Sequence, residues 1–169
     1  TSMQVELGGG IRNIETVALY LDEVGIDRVI LGTAAINDPE FLKSAINTYG
    51  PEKIVVGVDV KDGFVSTSGW LKISNVPYLE FIKELEKLGV KYIVATDISK
   101  DGTLQGPNFD MYEQIARTST INFVVSGGIK DAQNIKDVAS KNYYACIVGK
   151  AYYEGKVDLK EVITCLQNG

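Results

Sequence analysis

A few aspartates and two glycine pairs carry whatever chemistry this sequence performs. Asp59 stands near the end of the apolar run KIVVGVDV, residues 53–60. A carboxylate at the end of a buried strand is partly desolvated, which raises its pKa and suits it to proton transfer. The competing reading is a turn or N-cap aspartate. Asp101 lies in Lys100-Asp101-Gly102-Thr103, where a plain Asp-Gly turn is the better local reading. Thr96 and Asp97 directly follow the apolar run Tyr92 to Ala95, and either could hydrogen-bond a substrate. Trp70, the only tryptophan, follows Ser68 and Gly69. A stacking surface for a planar ligand and a side chain packed on a rim explain it equally well.

The glycines repeat. Gly8-Gly9-Gly10-Ile11-Arg12 is echoed by Ser126-Gly127-Gly128-Ile129-Lys130, and each follows a short apolar run. Each leads into a helical pattern and then a β-branched run ending in glycine: Val29-Ile30-Leu31-Gly32-Thr33 and Cys146-Ile147-Val148-Gly149-Lys150. Gly9 and Gly127 are 118 positions apart, Gly32 and Gly149 117, which reads as an internal duplication. Glycine pairs after a strand let the backbone turn and expose consecutive N–H groups, and with a helix N-terminus these form an anion site. One pair is explained as well by a tight turn. Two pairs, each with a second glycine turn, favour two phosphate sites: Gly9, Gly10, Gly32 and Thr33 in one, Gly127, Gly128, Gly149 and Lys150 in the other. Arg12 either pairs with phosphate or is a solvated residue at a helix start.

Composition narrows the chemistry. The 169 residues carry a net charge of −5 and no histidine, with 45% hydrophobic and 23% charged residues. An acidic chain without a basic run argues against a nucleic-acid surface. No apolar run approaches the roughly 20 residues of a membrane span. Without histidine, Ser-His and Cys-His nucleophilic schemes are excluded and acid–base work falls to Asp, Glu, Lys, Tyr or Cys. Cys146 and Cys165 have no metal spacing. We therefore expect no metal and no cofactor, and a reducing, cytoplasmic setting.

The elements that position these residues alternate. Strand runs at 3–7, 28–31, 53–60, 92–95, 121–125 and 144–148 are separated by helical patterns at 13–24, 38–49, 74–88, 109–117 and 131–139, with a last helix at 159–166. Asp38-Pro39 reads as an N-cap and first helical residue. Phe64 to Thr67 reads as a short hairpin arm. Six βα units at about 28 residues each match the spacing of a (β/α)8 barrel. Every candidate residue follows a strand, so in a barrel all share one rim, where active sites are built. Six units cannot close an eight-strand barrel, so residues 1–169 read either as a smaller open sheet or, as the duplication favours, as a single partial TIM barrel domain with two phosphate sites across its mouth and aspartates between them. The second repeat has two strands before it and the first none, so a symmetric barrel carries two more units at the N-terminus, about 55–65 residues.

At this point QVELGGGIR, VILGTAA, VGVDVKDG, STSGW, TDISKDGTLQGPN, VSGGI and IVGKAYYEGK resemble the histidine-biosynthesis isomerases that act on the bis-phosphate ProFAR, from their third barrel unit to their eighth. The resemblance implies an Amadori rearrangement of an aminoaldose to an aminoketose. In it Asp59 corresponds to the general acid from strand five, Thr96 and Asp101 to active-site residues after strand six, the glycines and Lys150 to the phosphate sites, and Trp70 to a substrate-stacking loop residue. Relatives that also take the tryptophan-pathway substrate carry arginine where this sequence has Ser68, which favours a single activity. The family's strand-one aspartate has no counterpart here, so the chain as given is expected to be inactive or nearly so. The full-length protein is expected to be a monomer, and the shorter chain to self-associate through open barrel edges at 3–7 and 144–148. The sister cyclase of the same pathway, and a non-catalytic phosphosugar-binding fragment, are the alternative readings.

Overall fold

The computed structural model describes residues 2–67 and 69–167. In chain order the elements are β1 (Glu6–Gly8), α1 (Ile14–Ala18), a π-helical segment (Leu19–Val24), β2 (Arg28–Leu31), α2 (Thr33–Asn37), α3 (Pro39–Tyr49), β3 (Ile54–Lys61), β4 (Phe64–Thr67), β5 (Lys72–Pro77) and α4 (Tyr78–Lys87). There follow β6 (Tyr92–Asp97), α5 (Phe109–Thr118), β7 (Asn122–Ser126), α6 (Ala132–Ser140), β8 (Ala145–Cys146), α7 (Lys150–Tyr153) and α8 (Leu159–Gln167). Strands β1, β2, β3, β6, β7 and β8 lie side by side in that order, each pair parallel. β4 and β5 extend the sheet as an antiparallel hairpin off β3.

The period of two along each strand divides the residues between two faces. Val29, Leu31, Ile54, Val56, Val58, Ile93, Ala95, Phe123 and Val125 belong to the main core with the helices, which includes Val17, Leu42, Ile82, Leu85, Ile115 and Val138. Ile30, Val55, Val94, Val124 and Ala145 form a smaller cluster on the opposite, concave face. β2 and β8 are four strand spacings apart, roughly 19 Å in a flat sheet. Yet Nη2 of Arg28 lies 3.3 Å from the hydroxyl of Tyr144, next to β8. The Tyr144 ring stands 5.1 Å from that of Tyr92 at the start of β6, and the Arg28 guanidinium sits 4.3 Å above Tyr92. Only a strongly curled sheet brings these groups together. The architecture is the (β/α)8 barrel, of which this chain builds six βα units.

The duplication is visible in the backbone. Gly9 and Gly127 have φ of 109° and 97°, Gly10 and Gly128 71° and 86°. The N-caps Asn13 and Asp131 adopt φ, ψ of −151°, 167° and −154°, 174°, and each side chain accepts from the amide three residues on. Gly32 and Gly149 match as well, at φ −97° and −103°. Asp38 caps α3 by accepting from the Phe41 amide at 2.9 Å, with Pro39 at the first position, as the sequence predicts.

Several elements differ from expectation: β1 begins at Glu6 rather than at residue 3, and a short helix stands at Thr33–Asn37 where the sequence pattern gives none. The helix expected over 13–24 stays α-helical only to Ala18. The π-helical turn closes with both Gly25 and Ile26 amides on the Tyr20 carbonyl. The wider turn rotates Val24 off the buried stripe, leaving it 60% exposed. Residues 74–77 do not open a helix but pair in β5, because Pro77 holds Val76 extended. The run 144–148 ladders only at Ala145–Cys146.

Candidate functional site

The strand register assembles the site. Asp59 of β3 is the Cα partner of Thr96 of β6, so their side chains project together from the concave face at the C-terminal rim. Asp59 is half-buried and Thr96 buried. The Trp70 indole N–H donates to Oδ2 of Asp59 at 2.9 Å, reaching in from the connection between β4 and β5. Burial pushes the Asp59 carboxyl above the usual carboxylate range; hydrogen bonds from Trp70 and Thr96 pull it partly back, and the nearby Asp101 charge pushes it up. A carboxyl that holds its proton more tightly than a solvated one suits proton transfer. Asp101 is exposed on the loop after β6.

The two glycine turns line separate cavities. Gly9, Gly10, Arg12, Gly32 and Thr33 line the larger, of about 780 Å³, together with Asn37 and Gly69. Gly127, Gly128, Gly149 and Lys150 line one of about 220 Å³, which Asp101 and Gly102 also border. The Lys150 ammonium donates to the Gly102 carbonyl at 3.0 Å and lies 3.7 Å from Glu154. The glycines, Arg12, Thr33, Asp101 and Lys150 thus line two cradles, with the Asp59–Thr96–Trp70 group between their strands. Ser68 lies outside the described residues.

Asp97 is a correction. Its position next to Thr96 made it a candidate for substrate contact, but alternation turns it to the opposite face, where it is 6% exposed. Its Oδ1 accepts from the amide and hydroxyl of Ser99, and its Oδ2 from the Asn108 side chain at 2.7 Å. It closes the base of the 97–108 loop. Sequence reasoning also missed a steric asymmetry. A Cβ on Gly9 or Gly10 would meet nothing within 4 Å, whereas one on Gly127 would lie 2.8 Å from the Asp97 carbonyl oxygen and one on Gly128 2.4 Å from that of Gly106. The second cradle is packed against the loop that carries Asp101; the first is open.

The profile of the histidine biosynthesis protein family matches residues 1–158. The chain belongs to this family. Within it, a Lactococcus lactis subsp. cremoris protein is 55% identical over 161 residues, 95% of this chain and 65% of its own length. A Clostridium acetobutylicum protein is 48% identical over 167 residues, 99% of this chain and 69% of its own. One from Clostridium novyi is 50% identical over 159 residues, 94% of this chain and 66% of its own. All three are named 1-(5-phosphoribosyl)-5-((5-phosphoribosylamino)methylideneamino) imidazole-4-carboxamide isomerase. The chain thus spans about two thirds of the length of these family members.

Proposed function

We propose that this chain is the catalytic-rim portion of an aldose–ketose isomerase of histidine biosynthesis, acting in the cytoplasm on a small bis-phosphorylated aminoimidazole carboxamide ribotide. The observation that carries the reading is the placement of Asp59. It is half-buried and hydrogen-bonded by Trp70 and Thr96, on a rim that also bears two glycine cradles related by duplication. A substrate with a phosphate at each end spans such a rim, each phosphate meeting backbone N–H groups at positive-φ glycines, with Arg12 and Lys150 supplying positive charge. Asp59 then protonates the ring oxygen of the aminoaldose ribose as it opens. The C2 proton passes to a base, the role that the resemblance gives to the strand-one aspartate with no counterpart in this sequence, to leave an enolamine, and return of a proton gives the ketose. Thr96, paired with Asp59, and Asp101, whose charge reaches Asp59, hydrogen-bond the reacting sugar.

The relatives' names support this substrate class, as does the presence of two glycine cradles for a substrate with two phosphates. The test is genetic. A complete gene that also encodes the strand-one aspartate should restore growth without histidine to a strain lacking the isomerase, and its Asp59→Asn form should not, since loss of an acid–base group costs about 10² to 10⁴ in rate. Rescue by the Asp59→Asn form removes Asp59 from its role; failure of the unaltered complete gene removes the isomerase reading.

A further inference from the structure

One buried tyrosine joins the two strands whose exits carry half of the site. Tyr112, on α5, has no exposed surface, yet it ends in a polar group. Its hydroxyl donates toward the Ser126 carbonyl at 2.6 Å and faces the Ala95 carbonyl at 3.1 Å. It accepts from the Ser126 amide at 3.2 Å. Ala95 precedes Thr96 at the end of β6, and Ser126 precedes Gly127 at the end of β7. Thr96 and Ser126 are the last paired residues of this ladder. Beyond that rung the strands part into the 97–108 loop and the glycine turn, and the hydroxyl sits where they part.

The same face of α5 makes a second contact. Asn108, the N-cap, is four residues before Tyr112, one turn away. Its side-chain amide donates to Asp97 at 2.7 Å while its oxygen accepts from the Met111 amide. The start of one helix thus grips the end of β6 by side chain and by backbone, and the end of β7 by backbone. The loop it braces returns to the glycine turn, where the Gly106 amide donates to the Gly128 carbonyl at 2.9 Å.

We propose that Tyr112 is a positioning residue: with Asn108 it clamps the exits of β6 and β7 and sets the spacing between Thr96 and Asp101 on one side and the Gly127-Gly128 cradle on the other. The proposal rests on the two-cradle reading above. Tyr112 touches no substrate, and acts through the backbone of residues that do. Misplacement of such groups by about 1 Å is enough to cost on the order of a hundredfold in rate.

The duplication supplies an internal control, because the bonds of the Tyr112 hydroxyl reach the exits of β6 and β7, while the first cradle follows β1 and β2. Tyr112→Phe removes the hydroxyl and keeps the ring stacked on Phe123, at a centroid distance of 6.0 Å. Tyr78→Phe is the matched variant: Tyr78, on α4, is buried and its hydroxyl donates to Gln114 of α5, the helix of Tyr112, without reaching either strand exit. Inorganic phosphate is titrated into the isotope-labelled chain while the glycine amides are followed by NMR. For Tyr112→Phe the expected result is about tenfold or greater loss of affinity at Gly127 and Gly128 (about 1.4 kcal/mol), with Gly9 and Gly10 unchanged. Tyr78→Phe should leave both cradles as they are. Equal loss at both cradles, or none at Gly128, overturns the clamp. Amide exchange without ligand gives a second readout: Tyr112→Phe should speed exchange at residues 96–101 and 126–128 by about tenfold or more, and not at β1 or β2. Uniform or absent acceleration overturns the clamp whatever phosphate does. Silence of both cradles toward phosphate in the unaltered chain instead refutes the two-phosphate reading, and the exchange measurement still decides the role of Tyr112.

Discussion

Alanine at Gly128 and alanine at Gly10 are the same substitution at equivalent positions of a repeat, and they should have unequal effects. Both glycines have positive φ, 86° and 71°, so both variants bear the left-handed strain of a Cβ, about 1–2 kcal/mol. At Gly10 that is all, because nothing lies within 4 Å of the new atom. At Gly128 the Cβ would stand 2.4 Å from the Gly106 carbonyl oxygen and 2.8 Å from its carbon. Ordinary contact requires the loop to retreat by roughly 1 Å. That movement breaks the 2.9 Å bond from the Gly106 amide to the Gly128 carbonyl. A buried polar group left without a partner costs a further ~1–3 kcal/mol. At ~2–4 °C per kcal/mol for a domain of this size, Gly10→Ala should lower Tm by roughly 4 °C and Gly128→Ala by roughly 10 °C. Thermal melts of the two purified variants, followed by far-UV circular dichroism, make the comparison. Equal losses, or a larger loss for Gly10→Ala, would refute the claim that the second glycine turn is held by the 97–108 loop.

Two further outcomes follow from contacts already described. Asp59→Asn should stabilise the fold at neutral pH while it abolishes rescue. The folded pKa of Asp59 lies above its unfolded value, so the native state binds the proton more tightly and stability falls as pH rises through that interval. The variant's Tm should exceed the wild-type Tm at pH 8, and the gap should close as the pH drops below the unfolded carboxylate value of about 4; a gap independent of pH contradicts the assignment. The N-caps should behave as a pair: Asn13→Ala and Asp131→Ala each lose one side-chain bond to a helix amide, and each should cost about 1 kcal/mol in urea unfolding.

Much of the site was legible because its residues follow strands. An apolar run followed by Gly-Gly, a cap and a helical pattern needs no long-range information, and it occurs twice. Asp59 was found for the same reason. The choice between Thr96 and Asp97 was open to the same logic: adjacent strand residues point to opposite faces, and only one can share the face of Asp59. The pairing register, a tertiary fact, decides that it is Thr96. The π-helical turn after Ala18 had no local signal, because a stripe spaced for 3.6 residues per turn continues to Val24. β5 was hidden by a Ser-Asn-Val-Pro stretch that resembles a helix start and gains its ladder only from β4. Tyr112 occupies a buried position of α5 beside Met111 and Ile115. Its hydroxyl acquires meaning only where two strands separate, which sequence periodicity does not encode.

The bond between Trp70 and Asp59 has a spectroscopic consequence. The chain holds a single tryptophan, and its indole N–H is committed to one carboxylate. Light absorbed by that ring is emitted beside a group that carries a full negative charge at high pH and none at low pH. The emission wavelength of the whole protein therefore follows the ionisation of one side chain. A fluorimeter and a series of buffers read the Asp59 proton directly, in an unlabelled protein and without a substrate, and in Asp59→Asn the same titration should be flat.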